Sequence, residues 1–481
     1  MSLIAPSLPS TPKKFSAPQS EKSWTPIRFL IWPLSAALLF RVGLMLAAYF
    51  RTGTQVMTQG DSWSYLIPGR NLLLHGSFAN NGLPEIDRTP GYPIFAELSG
   101  MIVGNVLLTI GVQILLSLIS IWLAASITER LFIDCRAAAI TAWLLACDPL
   151  SITSSVRIMP ETLFVFLLLL CLERMISFAA DKKLTQLAQA GALLALATFV
   201  RPVSYYLVLP FAVVAVACSP QCKGMKWKAP FILLIAFIPF IAAWQLRNYV
   251  ETGYNGFSSI VEKNLYFYQS AEIRAELDHL SLVEEQKKLG YSDNASYLVA
   301  HPEQRAWNRI KQLQFMKSEA VKVLRQHPLM YLRSHFIGVA IVAFSPGSTE
   351  LLQLINAYPS AGKMPKRLVS DGIKEPLKQL VLRHFTLVTV MCLFSGFTLA
   401  LYLAACTGLF TARLAPETVW ILAGTAIYFL LISGGAQAVA RYRLPAIPEL
   451  CILASGGICI LYDKTKRSRR SSSVQVVVSA G

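Results

Sequence analysis

The chain has 481 residues, 54% of them apolar and only 15% charged, and its mean hydropathy is +0.49. This composition excludes an ordinary soluble globular protein, and several apolar runs longer than eighteen residues predict an all-α polytopic membrane protein. The formal net charge of +17 does not indicate nucleic-acid binding, because the basic residues flank the apolar spans and form no patch interleaved with aromatic residues.

The positions of the basic residues predict the orientation of the chain. Before the first span and after the last lie Lys13, Lys14, Lys22, Arg28, Lys464, Lys466, Arg467, Arg469 and Arg470. By the positive-inside rule we expect both ends to face the cytoplasm, in a multi-pass protein of the cytoplasmic membrane. Residues 1–26 are then a disordered cytoplasmic tail, and residues 463–481 are a basic cytoplasmic tail.

The apolar runs predict about 10–11 transmembrane helices. The expected spans are 27–50, 106–127, 137–153, 162–179, two short spans within 186–218, 229–246, 385–410, 417–434 and 444–462. A short helix is expected at 94–103, divided from the next span by Gly104 and Asn105. The break within 186–218 is placed at Arg201-Pro202, because proline cannot continue a helix without a kink. These runs define a transmembrane module at 27–246 and C-terminal transmembrane helices at 385–462.

The connection after the first span is the most informative stretch. Residues 51–93 hold several charges between two membrane-spanning segments, and they are longer than a structureless connector should be. Apolar residues such as Tyr65 and Leu66 predict amphipathic surface helices, and Arg88-Thr-Pro-Gly-Tyr-Pro93 predicts a rigid turn. We interpret this first outer loop as a folded cap that holds acidic and basic groups over a cavity.

Residues 247–384 form a second outer region with amphipathic helices. A helix is expected at about 303–325, and it is either an interfacial helix or a solvated surface helix. The apolar segment 329–345 is short and contains Arg333 and His335, so it either spans the membrane or enters and returns. We prefer the second interpretation, since it gives an even number of crossings, as two cytoplasmic ends require.

Ionisable residues near the predicted spans gather on one side of the membrane: Asp61, Asp87, Arg88, Asp148, Arg157, Glu161, Arg201, Arg247, Arg441 and Arg443. Charges at membrane depth are costly unless they are paired or hydrated, so a common outward-facing polar cavity is expected. Arginines indicate an anionic ligand such as phosphate, and neighbouring carboxylates indicate acid–base chemistry or a metal.

Each of these residues also has a purely structural interpretation. Asp61 is well placed as a helix N-cap, and Glu161 would be favoured in the first turn of a helix by the helix dipole. Asp148 simply ends a span in this view, while arginines such as Arg201 anchor ordinary lipid headgroups. All of these residues are predicted to lie on the same side of the membrane and at a similar depth. This agreement is stronger evidence for a site than any one residue.

Several motifs resemble those of GT-C superfamily integral-membrane glycosyltransferases, in the branch of protein O-mannosyltransferases and aminoarabinose transferases (family 39-like). They are Gly60-Asp61 with Tyr65 and Asn71-Leu72, Arg88-Thr-Pro-Gly-Tyr-Pro93, Asp148-Pro149, Pro160-Glu161-Thr-Leu-Phe164, Arg201-Pro202, Arg247-Asn248-Tyr249 and Arg441-Tyr-Arg-Leu-Pro445. The resemblance covers residues 30 to 460 and implies a GT-C fold.

The resemblance implies transfer of a sugar from a polyprenyl-phosphate donor to a lipid, glycan or protein acceptor at the outer face of the membrane. Asp61 matches the catalytic acidic residue of the first loop and would act as general base in an inverting reaction. The other residues that match the family's motifs are candidates for substrate binding: Tyr65, Asp87, Arg88, Glu161, Arg201, Arg441 and Arg443. No cofactor is certain, and a divalent metal near the first loop is left open.

Two other functions compete with a glycosyltransferase. A transporter or flippase of lipid-linked sugars would use the same arginine-lined cavity, but the chain shows no internal repeat of the kind that many transporters carry. A polymerase or ligase of surface glycans would be expected to use an arginine and histidine pair in a large outer loop, whereas here the acidic first loop is the more distinctive feature.

Overall fold

The computed structural model describes residues 27–58, 60–219, 223–357, 385–412 and 414–478, and it confirms the all-α class. The expected tail 1–26 and the stretch 358–384 of the second outer region lie outside the described residues. The strands found in the described part of the chain are two short ones, Ala79–Asn80 and Leu83–Pro84, which pair antiparallel within the first outer loop.

The first half of the chain forms ten helices in the part that is described. They are α1 (Ile27–Thr52), α2 (Ser62–His75), α3 (Gly91–Ser99), α4 (Val106–Phe132), α5 (Cys135–Cys147), α6 (Pro149–Ser155), α7 (Glu161–Asp181), α8 (Leu184–Val200), α9 (Val208–Cys218) and α10 (Lys223–Thr252). Short 3-10 segments at Gly53–Thr58, Met101–Val103 and Pro202–Leu207 connect some of them.

The second half begins with short helices and ends with long ones. They are α11 (Ile260–Asn264), α12 (Ala271–Leu277), α13 (Leu282–Lys288), α14 (Asn294–Ala300), α15 (Arg309–Gln326), α16 (Pro328–Phe344), α17 (Ser348–Leu354), α18 (Phe385–Thr411), α19 (Pro416–Ile432) and α20 (Ile447–Val478). A π-helical turn lies at Leu265–Ser270, and 3-10 turns lie at Pro302–Gln304 and Ala440–Ala446.

Six of the described helical stretches are long and apolar enough to cross a membrane, and up to eight are when each bent pair counts as one span. One bent pair is α5 with α6, at 59°, and the other is α16 with α17, at 58°. Three shorter apolar helices, at Leu184–Val200, Pro202–Cys218 and Pro416–Ile432, accompany them. The segment expected at 329–345 is therefore helical and part of a bent pair, which fits either a broken span or a re-entrant loop.

Local sequence explains where several helices begin. Gly104 adopts a left-handed conformation with φ +72°, and the Asn105 side chain then caps α4, which confirms the expected division before this span. The Asp148 carboxylate accepts a 2.7 Å hydrogen bond from the Ser151 backbone and caps α6, so Asp148 has a structural role. The expected helix 303–325 is corrected to α15, because Asn308 caps it and it therefore begins at Arg309.

Arg41 shows how a charge is accommodated within the first span. Its side chain is fully buried, and it donates hydrogen bonds to the Ser117 hydroxyl at 2.9 Å and to carbonyl oxygens of Ala37, Leu145 and Ala146. These partners come from α1, α4 and α5. The arginine faces the protein interior, as expected for a charge at membrane depth.

The first outer loop packs against the second outer region. Ile86 is buried in an aromatic core that includes Tyr266, Phe267 and Tyr297 of the second region. Arg247, at the end of α10, donates hydrogen bonds to the carbonyl oxygens of Phe78 and Glu85 at 2.8 and 2.7 Å. The loop is therefore a folded cap whose position is set by contacts with distant parts of the chain.

Candidate active site

Asp61 is held by two arginines from opposite ends of the chain. Its carboxylate lies 3.4 Å from Nη2 of Arg88 and 3.0 Å from Nη2 of Arg441. Asp61 occupies the N-cap position of α2, but its side chain makes no capping hydrogen bond. The arginine contacts, and not helix capping, therefore account for the orientation of this carboxylate, and 45% of the side chain remains accessible.

Arg88 is fixed by the first turn of α2. Its Nε donates to the Ser64 hydroxyl and its Nη1 donates to the Tyr65 hydroxyl, each at 3.0 Å. The guanidinium also lies 4.4 Å from the centre of the Tyr65 ring, within the range of a cation–π contact. Since these contacts use the other nitrogens of the guanidinium, Nη2 is left directed at Asp61. Ser64 was not among the residues singled out from the sequence.

A second carboxylate lies deeper in the same cluster. Glu161 begins α7, is 2% exposed, and accepts from Nη1 of Arg201 at 3.3 Å. Nε of Arg441 is 4.0 Å from the same Oε1 atom, so Arg441 bridges Asp61 and Glu161. Arg201 lies at the break between α8 and the following 3-10 turn, which confirms the break expected at Arg201-Pro202.

An aromatic residue completes the arginine cluster. The ring centre of Tyr442 lies 5.4 Å from the Arg201 guanidinium and 5.6 Å from that of Arg441. The Arg201 guanidinium also lies 5.8 Å from the ring centre of Phe164. Because Arg201 makes few hydrogen bonds, these two aromatic rings help to orient its side chain. Tyr442 was missed from the sequence, although its position between two candidate arginines was a usable signal.

Asp61 is ionised at neutral pH. Partial burial raises the pKa of its carboxyl group, but the charges of Arg88 and Arg441 outweigh burial and hold the pKa below its ordinary value. Burial lowers the pKa of Arg88, but the nearby Tyr65, Asp61 and Asp87 raise it above its ordinary value. This arginine therefore stays charged. The cluster thus combines a proton-accepting carboxylate with permanent positive charge.

Two of the candidate substrate-binding residues are not brought to this cluster. The Asp87 carboxylate forms ion pairs with Lys263 at 2.5 Å and with Arg309 at 3.1 Å, and it also accepts from the Ser259 hydroxyl. Asp87 and Arg88 are adjacent in sequence but point in different directions. Asp87 therefore joins the first outer loop to the second outer region.

Arg443 also lies away from Asp61. It is 2% exposed, and Nη1 donates to the carbonyl oxygens of Val342, Ala343 and Ser345 at 3.0, 2.5 and 3.2 Å. These carbonyl groups lie at the C-terminal end of α16, where the helix itself offers no N–H donor to them. In this structure Arg443 caps the helix end, and its expected role in substrate binding stays a prediction.

The carboxylates of the cluster do not fit a divalent metal. Among the described residues there is no group of three His, Cys, Asp or Glu side chains that could hold a metal ion. Asp61 and Glu161 face guanidinium groups, whose positive charge opposes a cation at the same place. The residues present suit an anionic ligand better than a metal ion.

Comparisons with known proteins bear on the same regions. A family model described as dolichyl-phosphate-mannose-protein mannosyltransferase matches residues 87–244, about a third of the chain. The matched part contains Arg88, Glu161 and Arg201, whereas Asp61 and Arg441 lie outside it. No curated protein matches the sequence.

Two solved structures align with most of the chain. The oligosaccharyltransferase AglB from Archaeoglobus fulgidus, in complex with an inhibitory peptide and a dolichol-phosphate, has a TM-score of 0.50 and 12% identity over 94% of this chain and 52% of that one. ArnT from Cupriavidus metallidurans, bound to undecaprenyl phosphate, has a TM-score of 0.38 and 13% identity over 90% of this chain and 77% of that one. The chain spans about half the length of the oligosaccharyltransferase it matches.

The apolar helices and the match to the oligosaccharyltransferase show a polytopic membrane protein with the GT-C fold. The resemblance to GT-C superfamily glycosyltransferases, drawn from the motifs of the first outer loop and the later spans, is confirmed.

Proposed function

We propose that this chain transfers a sugar from a polyprenyl-phosphate donor to an acceptor hydroxyl, with Asp61 as general base. The observation that carries the proposal is the contact of an accessible carboxylate, that of Asp61, with the guanidinium groups of Arg88 and Arg441. Guanidinium groups match phosphate geometry, and a carboxylate beside them can accept a proton. The AglB structure that shares this fold holds a dolichol-phosphate, which supports a lipid phosphate as ligand.

The reaction proposed is a single displacement. The acceptor hydroxyl gives its proton to the Asp61 carboxylate while its oxygen forms a bond to C1 of the sugar. The bond between C1 and the phosphate oxygen breaks on the opposite face, so the configuration inverts. The electron pair leaves with the polyprenyl phosphate, and the charges of Arg88 and Arg441 stabilise it there.

The arginines also link donor binding to the strength of the base. Without donor they hold the pKa of Asp61 low, and a carboxylate with a low pKa is a weak base. When the donor phosphate takes up part of their positive charge, the pKa of Asp61 rises toward its ordinary value. The carboxylate is then more basic when a sugar is present to be attacked.

The outer face of the membrane is the proposed location of this chemistry. Asp61 follows the C-terminal end of α1, and the basic residues Lys13, Lys14 and Lys22 precede its start. Arg441 precedes α20, and Lys464 and Lys466 lie far along that helix. By the positive-inside rule the basic ends face the cytoplasm, and the cluster at the opposite ends then faces outward.

The test is sugar release from synthetic donors by the purified full chain in lipid nanodiscs. The probes are undecaprenyl-phosphate-linked hexoses and pentoses, and liberated undecaprenyl phosphate is measured in the presence of membrane extract as acceptor source. We expect turnover by the wild type and a loss of about a hundredfold or more in Asp61→Asn. The matched control Asp278→Asn removes a half-exposed carboxylate of the second outer region and should retain turnover.

Full turnover by Asp61→Asn would remove the general base from the proposal. Movement of donor across the bilayer without cleavage of the sugar–phosphate bond would instead support the flippase alternative. Mass spectrometry of envelope glycolipids and glycoproteins, with and without the protein, then identifies the sugar and its acceptor together.

A further inference from the structure

A small pocket adjoins the candidate active site and shares Glu161 and Arg441 with it. Its walls include Arg157, Glu161, Glu350 and Arg441, together with Thr153 and Ser154 of α6. Arg441 is therefore a wall shared by the two sites, with Nη2 directed at Asp61 and Nε close to Glu161. Glu350 lies in α17, a helix to which no role was given from the sequence.

Three polar atoms of this pocket lack hydrogen-bond partners among the described residues. They are Oε2 of Glu161, Nε of Arg157 and Nε of Arg441. Glu161 is 2% exposed, so its free oxygen is shielded from bulk water. A buried polar atom without a partner costs free energy, and such an atom at a pocket wall points to a ligand or an ordered water.

The charges in the pocket balance. Two guanidinium groups, from Arg157 and Arg441, face two carboxylates, from Glu161 and Glu350. Glu350 is close enough to Arg157 to offset part of the effect of burial, which lowers the pKa of that arginine. A phosphate would meet as many negative as positive groups here, so a second anion site is not favoured. Neutral groups that both donate and accept hydrogen bonds suit this arrangement.

Sugar hydroxyls have that character. Each hydroxyl can donate to a carboxylate oxygen such as Oε2 of Glu161 while accepting from an arginine N–H. The pocket is small, so it suits the hydroxyls along one edge of a sugar ring and not a whole ring. Its position next to the proposed phosphate-binding arginine places it within reach of a sugar attached to that phosphate.

We propose that the pocket between Arg157, Glu161, Glu350 and Arg441 binds the hydroxyl edge of the transferred sugar, with Arg157 and Glu350 as residues that determine sugar specificity. The inference rests on the proposed function, since it assigns the sugar of the same donor. It adds two residues that lie beyond the arginine cluster around Asp61, and it assigns a partner to the unpaired atoms of Glu161 and Arg157.

The test compares two lipids that differ only in the sugar. Affinities of the full chain in nanodiscs are measured for undecaprenyl phosphate and for the undecaprenyl-phosphate-linked sugar that turns over best. We expect the wild type to prefer the sugar-bearing lipid by about tenfold or more, which is the effect of one or two hydrogen bonds to charged groups. Glu350→Gln and Arg157→Gln should reduce that preference to about threefold or less.

The sugar-free lipid serves as the folding control in the same experiment. Its affinity should change less than that of the sugar-bearing lipid in Glu350→Gln and Arg157→Gln, because the arginines that pair with Asp61 are Arg88 and Arg441. The conservative variant Arg157→Lys should restore part of the preference. Glu303→Gln, an exposed carboxylate of the second outer region, should behave as the wild type.

Three outcomes would overturn the inference. Equal affinity of the wild type for both lipids would mean that the pocket holds ordered water and no sugar. Equal losses of both affinities in Glu350→Gln and Arg157→Gln would mean a structural role. Failure of the wild type to bind either lipid would remove the proposed function as well, which distinguishes that result from failure of the sugar pocket alone.

Discussion

Arg441 and Asp61 are 380 positions apart in the sequence, and their side chains meet at 3.0 Å between Nη2 and Oδ2. Arg441 belongs to the 3-10 turn before the last helix, whereas Asp61 lies in the first outer loop at the N-terminus of α2. The candidate site therefore forms only when the C-terminal part of the chain packs against that loop. This arrangement makes Arg441 the most informative position for substitution.

Arg441→Lys should reduce sugar transfer although it keeps the charge. The guanidinium contacts Asp61 through Nη2 and approaches Glu161 through Nε, and a single ammonium group cannot reproduce both contacts. We expect turnover to fall by about 10- to 100-fold, with a smaller change in donor affinity. Steady-state rates at varied donor concentration separate the two effects. Arg305→Lys, at an exposed arginine of the second outer region, is the control, and equal rates in both variants would contradict the bridging role.

Arg88→Gln should move the acid limb of the pH profile to higher pH. The Arg88 charge is the largest influence that lowers the pKa of Asp61, so its removal raises that pKa. A base with a lowered pKa stays active as the pH falls, and activity is lost only when the pH falls through that pKa. We therefore expect the midpoint of the acid limb in kcat/KM to rise to higher pH. Arg88→Gln also weakens donor binding and so lowers kcat/KM at every pH. The two proteins are therefore compared by the pH midpoint of the acid limb and not by the maximum value of kcat/KM.

Lys263→Gln is the control for this measurement, because Lys263 pairs with Asp87 and not with Asp61. Its acid limb should coincide with that of the wild type. A limb that stays in place in Arg88→Gln would show that a group other than Asp61 controls the rate at low pH.

Much of this architecture is legible in the sequence for simple physical reasons. Apolar runs of about twenty residues identify the long spans, and Pro202 after Arg201 identifies a helix break. Because an unpaired charge near lipid is energetically unfavourable, Asp61, Glu161 and the arginines are expected to share one polar cavity. These signals are local or one-dimensional, so they do not require knowledge of which helices are neighbours.

Side-chain direction is what the sequence cannot provide. Arg441 and Arg443 are two positions apart in one 3-10 turn, where successive residues rotate by about a third of a turn, so they point to different sides. One reaches Asp61 and the other caps α16. Asp87 and Arg88 separate in the same way. Only the packing of helices distant in sequence decides which member of each pair faces the site.

Asp87→Asn should lower the stability of the protein more than its affinity for donor. In the folded state Lys263 and Arg309 hold the pKa of Asp87 at about 2, against the effect of burial. A depressed pKa stabilises the fold above the ordinary carboxyl range, and this contribution is lost as the pH falls toward 2. Removal of the charge should cost on the order of 2 kcal/mol at pH 7.

Thermal unfolding in detergent at pH 7 and at pH 3 tests this role of Asp87. The difference in melting temperature between the wild type and Asp87→Asn should be large at pH 7 and smaller at pH 3. Asp278→Asn removes an ion pair that is half exposed on both sides and should cost less than about 1 kcal/mol. A normal melting temperature together with a large loss of donor affinity would return Asp87 to the substrate-binding residues.

Gly91→Ala should disrupt the contact between the first outer loop and the end of α8. A Cβ at Gly91 would lie 2.7 Å from the carbonyl group of Phe199 and 2.8 Å from the Val200 nitrogen, both backbone atoms that cannot move aside cheaply. Arg201 follows directly, so displacement of the turn would separate Arg88 from the Glu161–Arg201 pair. We expect a loss of stability of about 1–3 kcal/mol and a lower rate of sugar transfer.

Gly111→Ala in α4, where an added Cβ meets open space, is the matched control and should retain stability and rate. Equal behaviour of the two variants in thermal unfolding and turnover would show that this close approach does not position Arg88.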